Sequence, residues 1–366
     1  MRRLIETYIF INIIQLAESI PRKGGTMKPT LLDVAELAKV SRTTACRAMN
    51  NEGRIDEETR KRVLEAAKSL NYQPNRLAQS LRVKQSFVIG VIFSNLFAGH
   101  FYSEIFRGIE EYTSGQNYNL ILGCSDGSVE KETELIESFQ ARQVDGLIMT
   151  PTNHMTPEAI EILENSKIPV VFIDRCSADY EHDYVGTDNL LGGKLAADYL
   201  KQLGHRNIAV CMGADAETMS VTDRLRGAVQ VFEKEQMHYF TIMGKSKARN
   251  SKEFSYAAML ESMDMLKSNE ATAVMAMSDS VALGASRALI EHGYRIGKDI
   301  ALIGYNNDDF CPYLTVPLTT VGQPKYELGE RAAELLLKKI RDKKSKCNTK
   351  IILKPKLVIR QSCGEF

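Results

Sequence analysis

A chain of 366 residues, 44% hydrophobic and 25% charged, is long enough for two or three domains with buried cores, and its 10 prolines leave little room for disordered tracts. The seven cysteines are odd in number and include no C-x-x-C pair, which argues against a disulfide framework or zinc site and for a reducing, cytoplasmic compartment; no metal or cofactor is expected. No apolar run approaches the ~18 residues of a membrane span, and the net charge of +1 is unevenly spread: residues 27–85 carry 12 Lys+Arg against 7 Asp+Glu, while residues 86–366 sum to −6.

Residues 1–26 open with two arginines and an apolar stretch, Tyr8–Ile14, flanked by Glu6 and Glu18. The stretch is short for a signal peptide, and no small-residue cleavage site follows. Lys23-Gly24-Gly25-Thr26-Met27 can be encoded as a purine-rich ribosome-binding sequence ahead of a start codon. The expectation is therefore a non-native N-terminal extension before Met27.

From Met27 the pattern is three short helices. Thr30-Leu31-Leu32-Asp33 has capping-box spacing, and Val34, Leu37 and Ala38 then recur on one face. Lys39-Val40 makes a tight turn, Ser41 caps the second helix, and Asp56-Glu57-Glu58 opens a third with a Val63, Ala66, Ala67, Leu70 stripe. So short a connection between the first two helices leaves a helix-turn-helix. On the second helix Ala45, Ala48 and Met49 face inward, while Thr43, Thr44 and Arg47 share the opposite side and Arg42 sits at its open end. Arginine can fork onto guanine O6 and N7, and short hydroxyls reach phosphates or a thymine methyl. A merely solvated basic helix would carry the same charges, but the surplus over residues 27–85 points to a polyanion.

Asn75-Arg76-Leu77-Ala78 follows Pro74 and allows two helical turns at most, ending near Leu81. So short a helix is marginal in water. An apolar pair, Leu77 and Leu81, between Arg76 and Arg82 suits a wedge at a minor-groove base step; a plain linker is the other reading. Beyond Phe87, short apolar runs at 88–93, 118–123, 145–150, 168–174, 208–213, 271–277 and 299–305 alternate with amphipathic helical stretches. This is the pattern of parallel sheets covered on both faces, and so many strands predict two sheets. The change of sheet is expected near Val185–Asp188 and the return near Thr315–Val321.

The strings MKPTLLDVAELAKVSRTTACRAMN, NYQPNRLAQSLR, IPVVFIDR, GTDN, MSDSVALGASRAL, IALIGYNN and PLTTVGQP together resemble the lactose-repressor (LacI/GalR) family of bacterial transcription regulators, in order from Met27 to the closing LVIRQS. The resemblance implies an all-α helix-turn-helix DNA-binding domain over 27–74 and a hinge helix over 75–85. It implies an α/β two-lobed periplasmic-binding-protein-like core with two parallel sheets over 86–366, lobe 1 at 86–187 and 317–346 and lobe 2 at 188–316 and 347–366. Such a protein is a homodimer on double-stranded operator DNA, a repressor controlled by a small-molecule effector, often a sugar, and associated with the nucleoid.

Carried over by position, Thr30, Ser41, Arg42, Thr43, Thr44, Cys46, Arg47, Asn50, Arg54, Thr59, Asn75, Arg76, Ala78 and Leu81 are expected on DNA. Phe93, Phe101, Tyr102, Asp174, Arg224, Ser278 and Asn306 are expected at the effector, with Asp188 in a cleft motif. The sequence departs from the family pattern at Lys39, where glycine is frequent, and at Cys46, where a hydroxyl is usual. It departs again at Ser278 and Asn306, where asparagine and aspartate are common. An enzyme on a nucleotide-binding α/β fold finds little support: no G-x-G-x-x-G follows a strand, Gly192-Gly193-Lys194 lacks P-loop spacing, no H-E-x-x-H occurs among the six scattered histidines, and no G-x-S-x-G nucleophile string is expected. A transport binding protein would lack the basic module.

Overall fold

The computed structural model describes residues 29–50, 53–73, 85–95, 100–177, 180, 182–244, 251–342 and 348–364. The chain divides into two compact units, Met1–Lys84 and Gln85–Phe366. The N-terminal extension and the hinge positions Asn75, Arg76, Ala78 and Leu81 lie outside the described residues.

In the first unit three helices, α1 (Leu31–Leu37), α2 (Arg42–Met49) and α3 (Glu57–Ser69), close over Val34, Ala35, Ala38, Ala45, Ala48, Val63, Ala66 and Ala67. Small side chains fill the shared interior, so the helices sit close. Leu37, expected on the inner face, is instead 54% exposed, and Ala35 takes its place; the inward stripe of so short a helix follows Val34, Ala35 and Ala38 at i, i+1, i+4. Thr30 caps α1 with both halves of the box present, Ser41 caps α2 and Asp56 caps α3. After α1 the Val40 N–H bonds Ala35 O and the Lys39 N–H bonds Glu36 O, a Schellman closure that needs a left-handed residue at Lys39. Its φ is indeed +54°, at a cost of roughly 1–2 kcal/mol to a residue with a Cβ.

The second unit holds two six-stranded sheets. The first contains β1 (Val88–Phe93), β2 (Asn119–Cys124), β3 (Gly146–Met149), β4 (Val170–Ile173), β5 (Asp183–Thr187) and β11 (Lys350–Leu353), in spatial order β11-β5-β4-β3-β1-β2, all parallel. The second contains β6 (Asn207–Cys211), β7 (His238–Ile242), β8 (Ala273–Ala276), β9 (Ala301–Asn306), β10 (Thr319–Gly322) and β12 (Lys356–Val358), in order β12-β10-β9-β8-β6-β7, with only β12 antiparallel. Each lobe has an apolar cluster on both faces of its sheet, which explains why β1, β3, β4, β8 and β9 read as unbroken apolar runs.

All seven apolar runs become strands, and the first change of sheet falls after Thr187 as expected. The lobe boundaries on the return need correction. Thr319–Gly322, assigned to lobe 1 within 317–346, pairs with β9 and belongs to lobe 2. Lys350–Leu353, assigned to lobe 2 within 347–366, pairs with β5 and belongs to lobe 1. The chain therefore returns at Gln323–Pro324 and leaves again at Lys354–Pro355. Proline supplies no N–H to a ladder, so each crossing falls where pairing must stop.

The helices that cover these sheets include α4 (Phe101–Ser114), α5 (Val129–Ala141), α6 (Pro157–Ser166), α7 (Asn189–Gln202), α8 (Met219–Lys234), α9 (Ser251–Glu261), α10 (Met263–Ser268), α11 (Asp279–Glu291) and α12 (Lys325–Arg341). α12 packs on α4 and on β3, β4 and β5, and α7 packs on α8. Both pairs cross at backbone distance. A Cβ on Gly193 of α7 would meet Arg224 O at 1.9 Å, and one on Gly227 of α8 would meet Leu190 O at 2.0 Å. Gly108 and Gly329 play the same reciprocal part between α4 and α12.

Candidate functional site

Two sites emerge, one in each unit. On the first, Ser41 opens α2: its Oγ accepts the Thr44 N–H at 3.1 Å and lies 2.8 Å from Thr44 Oγ1. Arg42, Thr43 and Arg47 are exposed, and among the described residues no hydrogen bond or ion pair engages their side chains. Ser41, Thr44, Arg47, Arg54 and Thr59 line one concavity together with Val40, Ile55 and Asp56. The structure thus brings five of the sequence-predicted positions onto one patch, with Arg42 and Thr43 on the same helix.

Thr30 stands apart, at the start of α1, its N–H and hydroxyl both donating to Asp33 at 2.7 and 2.8 Å. Those bonds hold the Asp33 carboxyl below the usual carboxylate range. Cys46 is half-buried, and Asn50 Nδ2 donates to its sulfur at 3.8 Å. The thiol is thus engaged within its own helix, and a phosphate contact by it would compete with Asn50.

The second site lies where the carboxyl ends of the strands converge, the usual place for a ligand in open parallel sheets. Asp174 follows β4 in a left-handed conformation, φ +66°, and is 4% exposed. Tyr102 Oη, from the first turn of α4, donates to its Oδ2 at 2.9 Å, and Tyr184 Oη donates to its carbonyl at 3.1 Å. Burial pushes the Asp174 carboxyl up, opposed by the charges of Arg175 and Arg224 and by the Tyr102 hydrogen bond.

Arg224 projects from α8 and is 5% exposed. Its Nε donates to Asn189 Oδ1 at 2.8 Å and its Nη1 to Met277 O at 2.8 Å. No carboxylate lies within ion-pair distance of it among the described residues. A surface ion pair, the ordinary role of such an arginine, is therefore excluded. A buried guanidinium whose hydrogen-bond partners are all neutral keeps unused donors, while its charge acts on the Asp174 carboxyl.

The remaining predicted positions divide. Phe101 is half-buried and meets Tyr102 edge-on at 5.1 Å. Phe93 is wholly buried in the lobe 1 core, its ring 5.0 Å from that of Tyr102; a core residue is the other reading of this position. Ser278 caps α11 through Val281 N–H at 3.3 Å, and Asp188 caps α7 through Leu191 N–H at 2.9 Å. Asn306 ends β9 with φ +119° and accepts from Gln323 Nε2 at 2.8 Å.

Sequence reasoning missed several neighbours. Arg175 Nε, Thr187 Oγ1, Thr150 Oγ1, Ser125 Oγ and Gln323 Oε1 are buried without a hydrogen-bond partner. Each sits at the end of a strand: Thr187 closes β5, Thr150 follows β3, Ser125 follows β2, Gln323 follows β10, and Arg175 lies one residue past Asp174. Buried polar atoms are normally paired. Unmatched ones at the carboxyl ends of the strands mark where a polar ligand or water belongs. The adjacency of Arg175 to Asp174 was the available signal.

Ser125 also stands in Gly123-Cys124-Ser125-Asp126-Gly127, a G-x-S-x-G string between a strand and a helix, which corrects the expectation that no such string is present. Such a string can carry a hydrolase nucleophile. Here the hydroxyl is fully buried with no base bonded to it, so no triad forms. Among the described residues no group of three metal-ligating side chains occurs and no helix is long and apolar enough to cross a membrane.

The sequence of residues 30–75 matches the family described as bacterial regulatory proteins, lacI family, and residues 197–363 match the periplasmic binding protein-like domain. The HTH-type transcriptional repressor PurR of Aliivibrio fischeri is 30% identical over 341 residues, spanning 91% of this chain and 98% of that relative. Among solved structures, the lac repressor dimer bound to operator and the anti-inducer ONPF superposes with a TM-score of 0.77 at 28% identity, covering 92% of this chain and all of that one. A lacI-family regulator from Enterococcus faecium with bound ribose gives 0.66 at 30% identity, covering 76% of this chain and 99% of that one. These similarities are to regulators and not to enzymes, and they run through both units; the chain belongs to the lacI family of bacterial regulatory proteins.

Proposed function

We propose that this protein is a transcriptional repressor that binds a pseudo-palindromic operator as a homodimer and answers to a sugar or sugar derivative held between the two lobes of its core. The observation that carries the effector half is the row of buried, unmatched polar groups at the strand ends, joined by Asp174 and Arg224. Hydroxyl-rich ligands supply both donors and acceptors, which is what the hydroxyls of Thr150 and Thr187 and the amide oxygen of Gln323 lack. The ribose bound to the Enterococcus faecium regulator supports that ligand class.

On the DNA side, Arg42, Thr43 and Arg47 read base edges while Thr30, Ser41, Thr44, Asn50, Arg54 and Thr59 meet phosphates or sugars. The same reading assigns Asn75, Arg76, Ala78 and Leu81, which lie outside the described residues, to contacts in the minor groove. The operator-bound lac repressor dimer supports the assignment of partner and stoichiometry. A cytoplasmic, nucleoid-bound location follows from that role.

The test is a gel shift on DNA upstream of the protein's own gene, with and without a panel of sugars that includes ribose and cellobiose. A saturable shift that a sugar alters, with no sugar turnover, is the expected result. A shift indifferent to every sugar would overturn the effector class while leaving the DNA assignment intact.

A further inference from the structure

The four residues after β9's apolar run, Asn306-Asn307-Asp308-Asp309, begin with two successive side-chain-bearing residues at positive φ, +119° and +55°. Such backbone persists only where the surroundings over-determine it. Here they do. Gln323 Nε2 donates to Asn306 Oδ1 at 2.8 Å, Arg360 Nη2 to Asn307 Oδ1 at 2.7 Å, and Asp308 N–H to Asp279 Oδ2 at 2.8 Å. The Asn307 N–H reaches Thr320 Oγ1 at 3.3 Å. All these partners belong to lobe 2 or to the crossing strand.

Lys325 is different, because it is the first residue of α12 and α12 packs in lobe 1. Its Nζ donates to Asn307 O at 2.9 Å and to Asp308 Oδ1 at 3.3 Å, with the Lys325 and Asp308 side chains only 10% and 2% exposed. A second lobe 1 contact to this loop among the described residues, His100 Nε2 to Asp309 Oδ2 at 3.0 Å, is more than half exposed on both sides and correspondingly weak.

We propose that Lys325 is a positioning residue that clamps the Asn306–Asp309 loop to lobe 1, so that the stance of Asn306 at the strand-end site depends on where lobe 1 sits. The ammonium fills the carbonyl of the left-handed Asn307 and neutralises the buried Asp308 together. Movement of α12 relative to the second sheet therefore pulls directly on the loop. Contact between this loop and an effector rests on the reading above, whereas its anchoring by Lys325 is measurable with no effector present.

The experiment is hydrogen-exchange mass spectrometry on the full chain, comparing wild type, Lys325→Met and the double variant Lys325→Met/Asp308→Asn. Lys325→Met leaves a buried carboxylate unpaired and can unfold more than the loop. The double variant removes both charges and isolates the clamp. The expected result is a segment 304–312 that exchanges about tenfold faster in the double variant, while segments in α4 and α11 stay within about twofold of wild type. Wild-type protection of 304–312 in the double variant would overturn the proposal, because the lysine would then serve only to neutralise Asp308. Uniformly faster exchange across lobe 2 in the double variant would overturn it too, showing a general structural role.

Discussion

The Arg224 guanidinium lies over the Tyr305 ring, 3.9 Å from its centroid, and both side chains donate to the same acceptor, Asn189 Oδ1, at 2.8 and 3.2 Å. Contacts among β9, α7 and α8 thereby hold the Arg224 cation in place without a direct ion pair among the described residues. Stacking on an aromatic face and a forked donor set are properties lysine lacks.

Arg224→Ala should leave operator binding without effector nearly unchanged and abolish the effector's influence on it, reducing an allosteric factor of roughly 5–150 to about one. Arg224→Lys should lose most of the response as well. Operator titrations with and without the active sugar check both. A mutant with wild-type coupling would show that Arg224 is only a strut.

Arg47→Ala should weaken operator binding by about 1–3 kcal/mol and relax preference at a single base pair, as for loss of a bidentate arginine–guanine contact. Selection from a library randomised across the half-site measures this. Uniform weakening on every sequence would make Arg47 a phosphate contact.

Gly193→Ala should cost about 1–3 kcal/mol through overpacking, since the new methyl would overlap Arg224 O. Because α8 carries Arg224, the same change should blunt the effector response while operator affinity alone persists. Thermal denaturation and the sugar-dependent gel shift together report the two effects. Full stability in the variant would contradict the close helix crossing.

Asp279 is wholly buried; burial first, and the charge of Asp308 second, push its carboxyl up to about 6. In the unfolded chain the group loses its proton near 3.8. Between those values the folded state holds more protons, so its contribution is fully present below about pH 4 and is lost as pH rises through 6. Wild-type stability should fall over that window relative to Asp279→Asn, and the difference should be flat above it. Urea midpoints for both proteins at half-unit pH steps measure it; a wild-type curve that rises between pH 4 and 6 would reverse the assignment.

What the sequence revealed depended on how local the cause was. The Thr30 and Ser41 caps act within three residues, and both are where the spacing placed them. Doubly covered strands announce themselves by composition. By contrast, β11 and β12, Lys350–Leu353 and Lys356–Val358, are short and half-polar. Only pairing with residues more than thirty positions away sends them to different sheets, and no local pattern records that. The site was half legible: Asp174 lies in a family string and Arg224 and Tyr102 were singled out beside it, whereas Thr187 and Gln323 lie in quoted strings without being singled out and Thr150 lies in none. Their importance is visible only as hydroxyls and a carbonyl left unmatched by the fold.

The three crossings, after Thr187, at Gln323–Pro324 and at Lys354–Pro355, all fall at the same edge of the two sheets, beside β5, β10, β11 and β12. With the pivot there, each lobe is a lever whose free end is β2 in one and β7 in the other. Five strand spacings separate β11 from β2, so a rotation of about 10° that scarcely disturbs Asp188 would carry β2 through about 4 Å. The strand-end groups nearest the pivot would feel a tilt, and those farthest from it a stroke. A small ligand seated near Asp174 and Asn306 would thus work close to the fulcrum, trading a short local displacement for a long one at the outer edge.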